Sequence, residues 1–443
     1  MPFSKRIVVL SLLAVCVPAF AQEETAPPSN SWELRHRFEI RANYRDSEAE
    51  RFQLRFPFPP SFLRPGERFA FMETPDPGSH VELSVVNFQL DANYGKWFGA
   101  RAKVHLVDKH RYNPTSSDQR IDFDELFVRV GEKPEFFERP DGTSFFAQIG
   151  KAPKMERQPI RLLESYGLAS TAFNRFEDTQ ALIGGTAGRS FYWRLQLANG
   201  NPLFFRDTNA LAGDNGTPKQ RQPENQNPIP EFGSGLPILY NAETESVFFE
   251  TDHLQFGQAL GYRWQSSDAT RGVDAILFHY KRELADTVDL TGTFYRGELE
   301  LLNGPFEMGG LPTSGRNKEE FGARIFAEWA GLTAIAQATQ QEVAGLERLG
   351  FELEAGYRLG WTFGPLVSIQ PALRYSQIDN DFVGIATRFP APSVWWDWRK
   401  IDAGLRIGFV RNIDVTIERA MHDVEAPREL SIDETLVTFR WRG

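Results

Sequence analysis

The sequence predicts an all-β fold, a transmembrane antiparallel up-and-down β-barrel of about 18 strands, with sixteen as the runner-up. Three observations lead there. Runs of period-two alternation recur through the chain, short and long connections alternate between them, and no apolar stretch is long enough to make a spanning helix.

The N-terminal residues set the compartment. Lys5 and Arg6 precede the apolar run Ile7 to Val17 and then Ala19-Phe20-Ala21, the pattern of a secretory signal peptide with a small-x-small cleavage site. The expected organisation is a signal peptide over 1–21, an N-terminal periplasmic segment over 22–32 and an outer-membrane β-barrel over 33–443. Val15 is a poor residue before a lipidated cysteine, so cleavage after Ala21 takes precedence over a lipoprotein anchor at Cys16. Cys16 is the only cysteine, and its removal leaves a chain without disulfides in an oxidising compartment. Beyond the leader, the longest stretch free of charged residues is Leu359 to Leu373, which contains Gly360, Gly364, Pro365 and Pro371. A spanning helix needs about 20 apolar residues, so closed strands are the remaining way across a bilayer. The net charge of −10 argues against a nucleic-acid-binding surface.

The strands follow in order. From Glu33 to Tyr44, Leu34, His36, Phe38, Ile40, Ala42 and Tyr44 occupy one face, and Glu33, Arg35, Arg37, Glu39, Arg41 and Asn43 the other. The pattern returns over Val86 to Tyr94 and over Phe98 to Leu106, joined by a tight turn at Gly95-Lys96. It returns again over Leu349 to Leu359 and Ile401 to Phe409. These runs reach roughly 9–12 residues, the length of a tilted membrane strand. Long connections are expected at 45–80, 109–120, 152–175, 201–245, 302–318, 377–397 and 422–431. Tight ones are expected at 95–97, 186–190, 330–331, 361–364 and 411–412. Taking Ser246 to Thr251 as a short strand completes the parity at about 18, with both termini periplasmic. Tyr44, Tyr94, Trp97, Trp193, Tyr262, Trp264, Trp329, Tyr357, Trp361, Tyr375, Phe439 and Trp441 fall near strand ends, where an interfacial aromatic girdle belongs.

One segment stands apart by its chemistry. Lys151, Lys154, Arg157, Arg161 and Arg175 surround a stretch interrupted by Pro153 and Pro159, with a short helix-like run from Ile160 to Ala169. If it folds into the lumen, these cations form a pore constriction; otherwise it is a solvated loop whose bases pair with Glu156, Glu164, Glu177 and Asp178. Arg35, Arg37, Arg41, Arg101, Lys103, Arg194, Arg263, Arg358, Arg374 and Arg406 are the expected lumen-lining bases. They face Glu33, Glu39, Asp91, Glu125, Glu328, Glu352 and Glu354, either as a selective surface or as a stiffening network of cross-strand pairs.

The segment Ile149-Gly150-Lys151-Ala152-Pro153-Lys154-Met155-Glu156-Arg157, followed by Glu164-Ser165-Tyr166 and Phe173-Asn174-Arg175, resembles a pattern of phosphate-selective and related anion porins. The match runs roughly from Phe145 to Asn201 and is architectural elsewhere. The resemblance implies a passive anion channel, a constriction lined by arginine and lysine, and a homotrimer. The arginine-rich strands are also similar to those of alginate-export barrels, which gives a second reading as an export barrel for an anionic polysaccharide.

Asp118, Asp122, Asp124 and Glu125, and separately Asp379, Asn380 and Asp381, offer oxygen ligands, but neither group has calcium-loop spacing, and no metal or cofactor is assigned. Metalloprotease, hydrolase-elbow and phosphate-loop motifs are missing, so no enzyme is expected. The expected function is passive diffusion of small polar, anionic solutes across the outer membrane of a Gram-negative bacterium. The expected partners are outer-membrane lipid and lipopolysaccharide, the barrel-assembly machinery and the solutes themselves.

Overall fold

Residues that alternate in the sequence alternate across a wall. The computed structural model describes residues 31–48, 51–53, 68, 71–73, 78–108, 122–133, 142–173, 177–200, 203–204, 240–241, 253–268, 270–284, 314–361, 363–382, 397–425 and 429–443. The signal peptide, most of the N-terminal segment and Ser246 to Thr251 lie outside them.

Sixteen long strands make one antiparallel sheet. They are β1 (Trp32–Ser47), β2 (Gly78–Tyr94), β3 (Phe98–Asp108), β4 (Asp122–Gly131), β5 (Ser144–Pro153), β6 (Glu177–Ala187), β7 (Phe191–Ala198) and β8 (Gln255–Gln265). The second half runs β9 (Arg271–Glu283), β10 (Asn317–Trp329), β11 (Leu332–Val343), β12 (Leu346–Tyr357), β13 (Leu366–Asn380), β14 (Asp397–Phe409), β15 (Ile413–Glu425) and β16 (Glu429–Arg442). Each strand pairs with its neighbours in sequence, and β1 pairs with both β2 and β16, which closes the sheet. Tyr44 sits opposite Val81 on one side and Val437 on the other. The last backbone link is a mutual pair, in which Phe38 and Gly443 each donate an N–H to the other's carbonyl at 2.9 and 2.8 Å.

The wall therefore has the runner-up number of strands, not about 18. The extra strand expected near 246–251 has no place in it, because β7 pairs directly with β8, Phe191 opposite Tyr262 and Ala198 opposite Gln255. β9 likewise pairs with β10 from Arg271 to Glu283. The expected tight turns occur where predicted, and Arg411 and Asn412 (φ 63° and 57°) make the sharpest without glycine. The predicted long connection at 422–431 is mostly strand, since Glu425 already pairs with Glu429. A further tight outer turn, Ala344-Gly345, joins β11 to β12.

Outward residues are apolar and bare. Leu260 is 68% exposed, Phe321 57% and Leu277 54%, a surface that would be anomalous in water and is the lipid face of a barrel. At the turn end of the wall, Trp97, Trp264, Trp329, Trp361 and Trp441 stand exposed as a ring, with Trp32 tilted 5.4 Å from Tyr94 and Phe191 edge-on 5.3 Å from Tyr262.

The interior is not uniform. Between β5 and β9, Phe146, Leu182, Tyr192, Ala259, Ile276, Phe278 and Tyr280 form a buried apolar cluster with Met155 of the β5–β6 connection. Glycine makes it fit: a Cβ on Gly261 would fall 2.0 Å from the Tyr192 ring, and one on Gly322 would fall 2.3 Å from Phe278. Three β-bulges interrupt the β1–β4 wall. One of them, at the β3–β4 pairing, brings the consecutive Asp124 and Glu125 both to bases of β3.

Candidate functional site

The described part of the β5–β6 connection, 154–173, turns into the barrel and crosses it. Prolines at 153 and 159 deny it a regular hairpin, and its backbone instead finds partners on the wall. Glu354 accepts N–H bonds from Leu162 (2.7 Å) and Leu163 (3.3 Å), while Glu418 accepts from Ser165 (3.0 Å) and from Glu164. Glu352 takes Ser170 N–H and Oγ and Gln158 Nε2. In the other direction the loop carbonyls accept from wall bases, Met155 from Arg194 (2.9 Å), Arg157 from Arg324 (2.8 Å), Arg161 from Arg406 (3.2 Å) and Tyr166 from Lys400 (2.5 Å). These contacts consume the N–H groups that a helix would use, so the helix-like run read at Ile160 to Ala169 is irregular at first, with bends over 162–165. The only helical turn there, α1, is Leu168–Ala172.

The tip is an electrostatic anchor. Glu164, fully buried, lies 2.6 Å from Arg440, 2.7 Å from Arg406, 3.5 Å from Arg161 and 3.6 Å from Arg41. Burial alone would raise its pKa, but Arg440, Arg41, Arg406 and Arg161 outweigh burial and hold the carboxyl well below the usual carboxylate range. Because the folded value is depressed, the anchor contributes fully above the ordinary range and is lost only as pH falls through the depressed value. Single-channel conductance is therefore expected to stay level as pH falls past about 4.3, the ordinary glutamate value. A conductance step centred there, and absent from a Glu164→Gln channel, would show that this carboxyl titrates normally.

The loop covers one side of the lumen. Inward polar residues of β9–β15, such as Asp274, Glu320, Arg324, Glu352, Arg374, Lys400 and Glu418, are buried, whereas Arg35, Arg37, Arg41, Gln89, Arg101 and Lys103 on β1–β3 keep contact with water. Among the described residues, the inner surface that water reaches, the open path, is thus that of loop residues 157–161 and the inner faces of β1–β4. Arg101 links Asp91 (2.5 Å) and Glu125 (3.2 Å), Glu125 approaches Arg157 (3.9 Å), and Arg157 pairs with Glu177. Asp124, Glu125 and Glu177 converge there, each with a basic partner.

The bases singled out in the sequence divide by place. Arg157 and Arg161 are half-buried beside the open path, Arg161 stacked 4.0 Å from the centre of the Tyr166 ring. Lys151 and Lys154 are buried, and Arg175 lies outside the described residues. Arg41, Arg101 and Lys103 border the path; Arg35 and Arg37 are exposed further toward the periplasmic end. Arg194 and Arg406 hold the loop, and Arg263 and Arg374 are buried in pairs with Asp274 and with Glu354 and Asp402. Arg358 stands exposed just beyond the end of β12, in the turn toward β13. The reading from sequence did not single out Arg440, Arg324 and Lys400; Arg440 alternates with Thr438 on the inner face of β16, a signal that was available.

No family model matches the chain, and no curated protein matches it in sequence. Among solved structures, the outer membrane channel DcaP of Acinetobacter baumannii is similar at 8% identity over 93% of this chain and 97% of that one, with a TM-score of 0.51. OprB of Pseudomonas putida (9% identity, 93% and 94% covered, TM-score 0.49) and an anion-selective porin from Comamonas acidovorans (8%, 93% and 100%, TM-score 0.45) are also similar. The likeness to DcaP shows a shared fold. A closed antiparallel wall with an apolar outer belt and an aromatic ring at its turn end places the chain as a β-barrel of the Gram-negative outer membrane.

Proposed function

We propose that this barrel is a passive channel for small polar solutes and prefers anions. The observation that carries the preference is how its ion pairs are turned. In most ion pairs along the open path the base is more exposed than the acid that neutralises it: Arg101 is 29% exposed against 10% for Asp91 and 7% for Glu125, Arg157 33% against 8% for Glu177, and Arg161 20% against 0% for Glu164, while Arg41 and Glu39 are nearly level at 14% and 16%. Formal balance therefore leaves guanidinium nearer the water and carboxylate nearer the protein in most pairs, and a passing ion meets their positive end first. Guanidinium suits the task because it stays charged and binds carboxylate or phosphate through a planar fork.

In this reading the chain carries out no chemistry. It is delivered by a signal peptide and the barrel-assembly machinery, sits among lipid and lipopolysaccharide, and assembles as a homotrimer. Export of an anionic polysaccharide is disfavoured, because a polymer would need the 154–176 segment to leave anchors on β7, β10, β12, β14, β15 and β16.

Arg157→Gln with Arg161→Gln is expected to move the reversal potential in a salt gradient toward cations, lowering the anion-to-cation permeability ratio several-fold. The change should shrink as the Debye length falls from about 10 Å at 0.1 M to about 3 Å at 1 M salt. Lys151→Gln with Lys154→Gln should move it much less, since both side chains are buried. Equal shifts from the two double variants would overturn the assignment of the open path.

A further inference from the structure

Two apolar side chains stand among the bases of the open path. The inner faces of β1–β4 present bases, acids and amides to the water-reached side of the lumen, and among the described residues there Phe127 of β4 is the one apolar side chain that is not buried. Its partner on β3 is Arg101, whose guanidinium carbon lies 5.7 Å from the centre of the ring, and Arg129 follows it on the inner face of β4. Its partner on β5 is Gly150, which has no side chain to cover the ring from that side.

The loop repeats the arrangement. Between Arg157 and Arg161 it carries Gln158, Pro159 and Ile160. Gln158 turns back to donate to Glu352 at 3.0 Å, Pro159 has no polar side-chain atom, and Ile160 is 42% exposed inside the barrel. Among the described side chains of 154–173, Ile160 is the one that stands fully in the exposed range. Loop and wall meet through Arg157 and Glu125 at 3.9 Å, and Glu125 is one inward position from Phe127 on β4.

Single exposed apolar side chains are ordinary on protein surfaces, but these two flank the bases that a passing anion meets. An inorganic oxyanion carries oxygen on every side and is best served by donors all round it. Phenyl, proline and isoleucine side chains supply none. A carboxylate on a hydrocarbon body has one charged end and one apolar end, and it fits a guanidinium fork set beside an apolar wall.

We propose that the open path is fitted to organic carboxylates with a compact apolar body, benzoate being a simple example. Arg101, Arg157 and Arg161 meet the carboxylate, and Phe127 and Ile160 meet the hydrocarbon. This assignment rests on the anion preference proposed above and names the class of anion. The apolar contacts are few, which favours entry without trapping the solute, as conduction requires.

The test uses planar bilayers holding the parent barrel or Phe127→Gln with Ile160→Asn, each checked for its fold by heat-dependent gel mobility. Reversal potentials with chloride on one side and benzoate or phosphate on the other give the relative permeability of each anion. The parent should pass benzoate more readily than phosphate, and the ratio of the two should fall several-fold in the double variant. Millimolar benzoate should also slow the chloride current of the parent several-fold more than equal acetate, which has the charge without the body, or equal benzyl alcohol, which has the body without the charge. A benzoate-to-phosphate ratio unaltered by the two substitutions, or equal slowing by acetate or by benzyl alcohol, would overturn the proposal while leaving the anion preference standing. A parent channel that prefers potassium to chloride, seen before any benzoate is added, would overturn both.

Discussion

Replacing Glu164 by Gln is expected to release the loop and raise single-channel conductance several-fold. The carboxylate is the common partner of Arg41, Arg161, Arg406 and Arg440, and Gln keeps its shape while removing its charge. Breaking a buried ion pair by neutralising one side typically costs about 3–5 kcal/mol, because the remaining charge stays desolvated. Here one substitution would leave several guanidinium groups uncompensated in a cavity that opens to water, and undocking relieves them. Proteolysis within 154–176 should accelerate in parallel. A variant with parental conductance and parental protease resistance would show that the backbone bonds to Glu354 and Glu418 hold the tip unaided.

Leu277→Arg should abolish assembly at 37 °C or nearly so. Leu277 lies midway along β9, opposite Leu260 and Ala323, and points outward with about half its surface bare. A charged side chain at the bilayer midplane costs ~2–4 kcal/mol in barrels of this kind. Folded protein, recognised by faster migration before boiling than after, should fall sharply. Arg37→Gln, an exposed position on the inner face of β1, should leave the folded fraction unchanged. Similar yields from the two variants would mean that the lipid face has been assigned to the wrong side.

What could be read from the sequence was the local part. Period-two alternation is a property of consecutive residues, so β1, β2, β3, β12 and β14 were recognisable with their inward faces, and so was the Gly95-Lys96 turn. The lower of the two expected strand totals is the one found, because taking Ser246 to Thr251 as a strand completes the alternation of short and long connections whether or not the sheet has room for it. Only the pairing of β7 with β8 excludes it. The basic, proline-broken segment was also visible, but not which of its bases would meet water. That depends on partners far along the chain: Leu162 on Glu354, Ser165 on Arg374 and Glu418, Glu164 on Arg440. Lys154 and Arg157 look alike in the sequence, and the wall they meet makes one a buried cation and the other a half-exposed one.

The Glu164 anchor also fixes an order of events. Its arginines come from the loop itself and from β1, β14 and β16, so the first and last strands of the chain must both be in place before the site exists. Chain synthesis and sheet growth can bring the 154–176 segment into position long before, but it has nothing to lock onto until the seam between Phe38 and Gly443 is made. Contacts of such sequence separation form late and slowly. The growing barrel therefore passes through a stage with an unlatched loop and a wide lumen, and the latch reports, from inside, that the last strand has found the first.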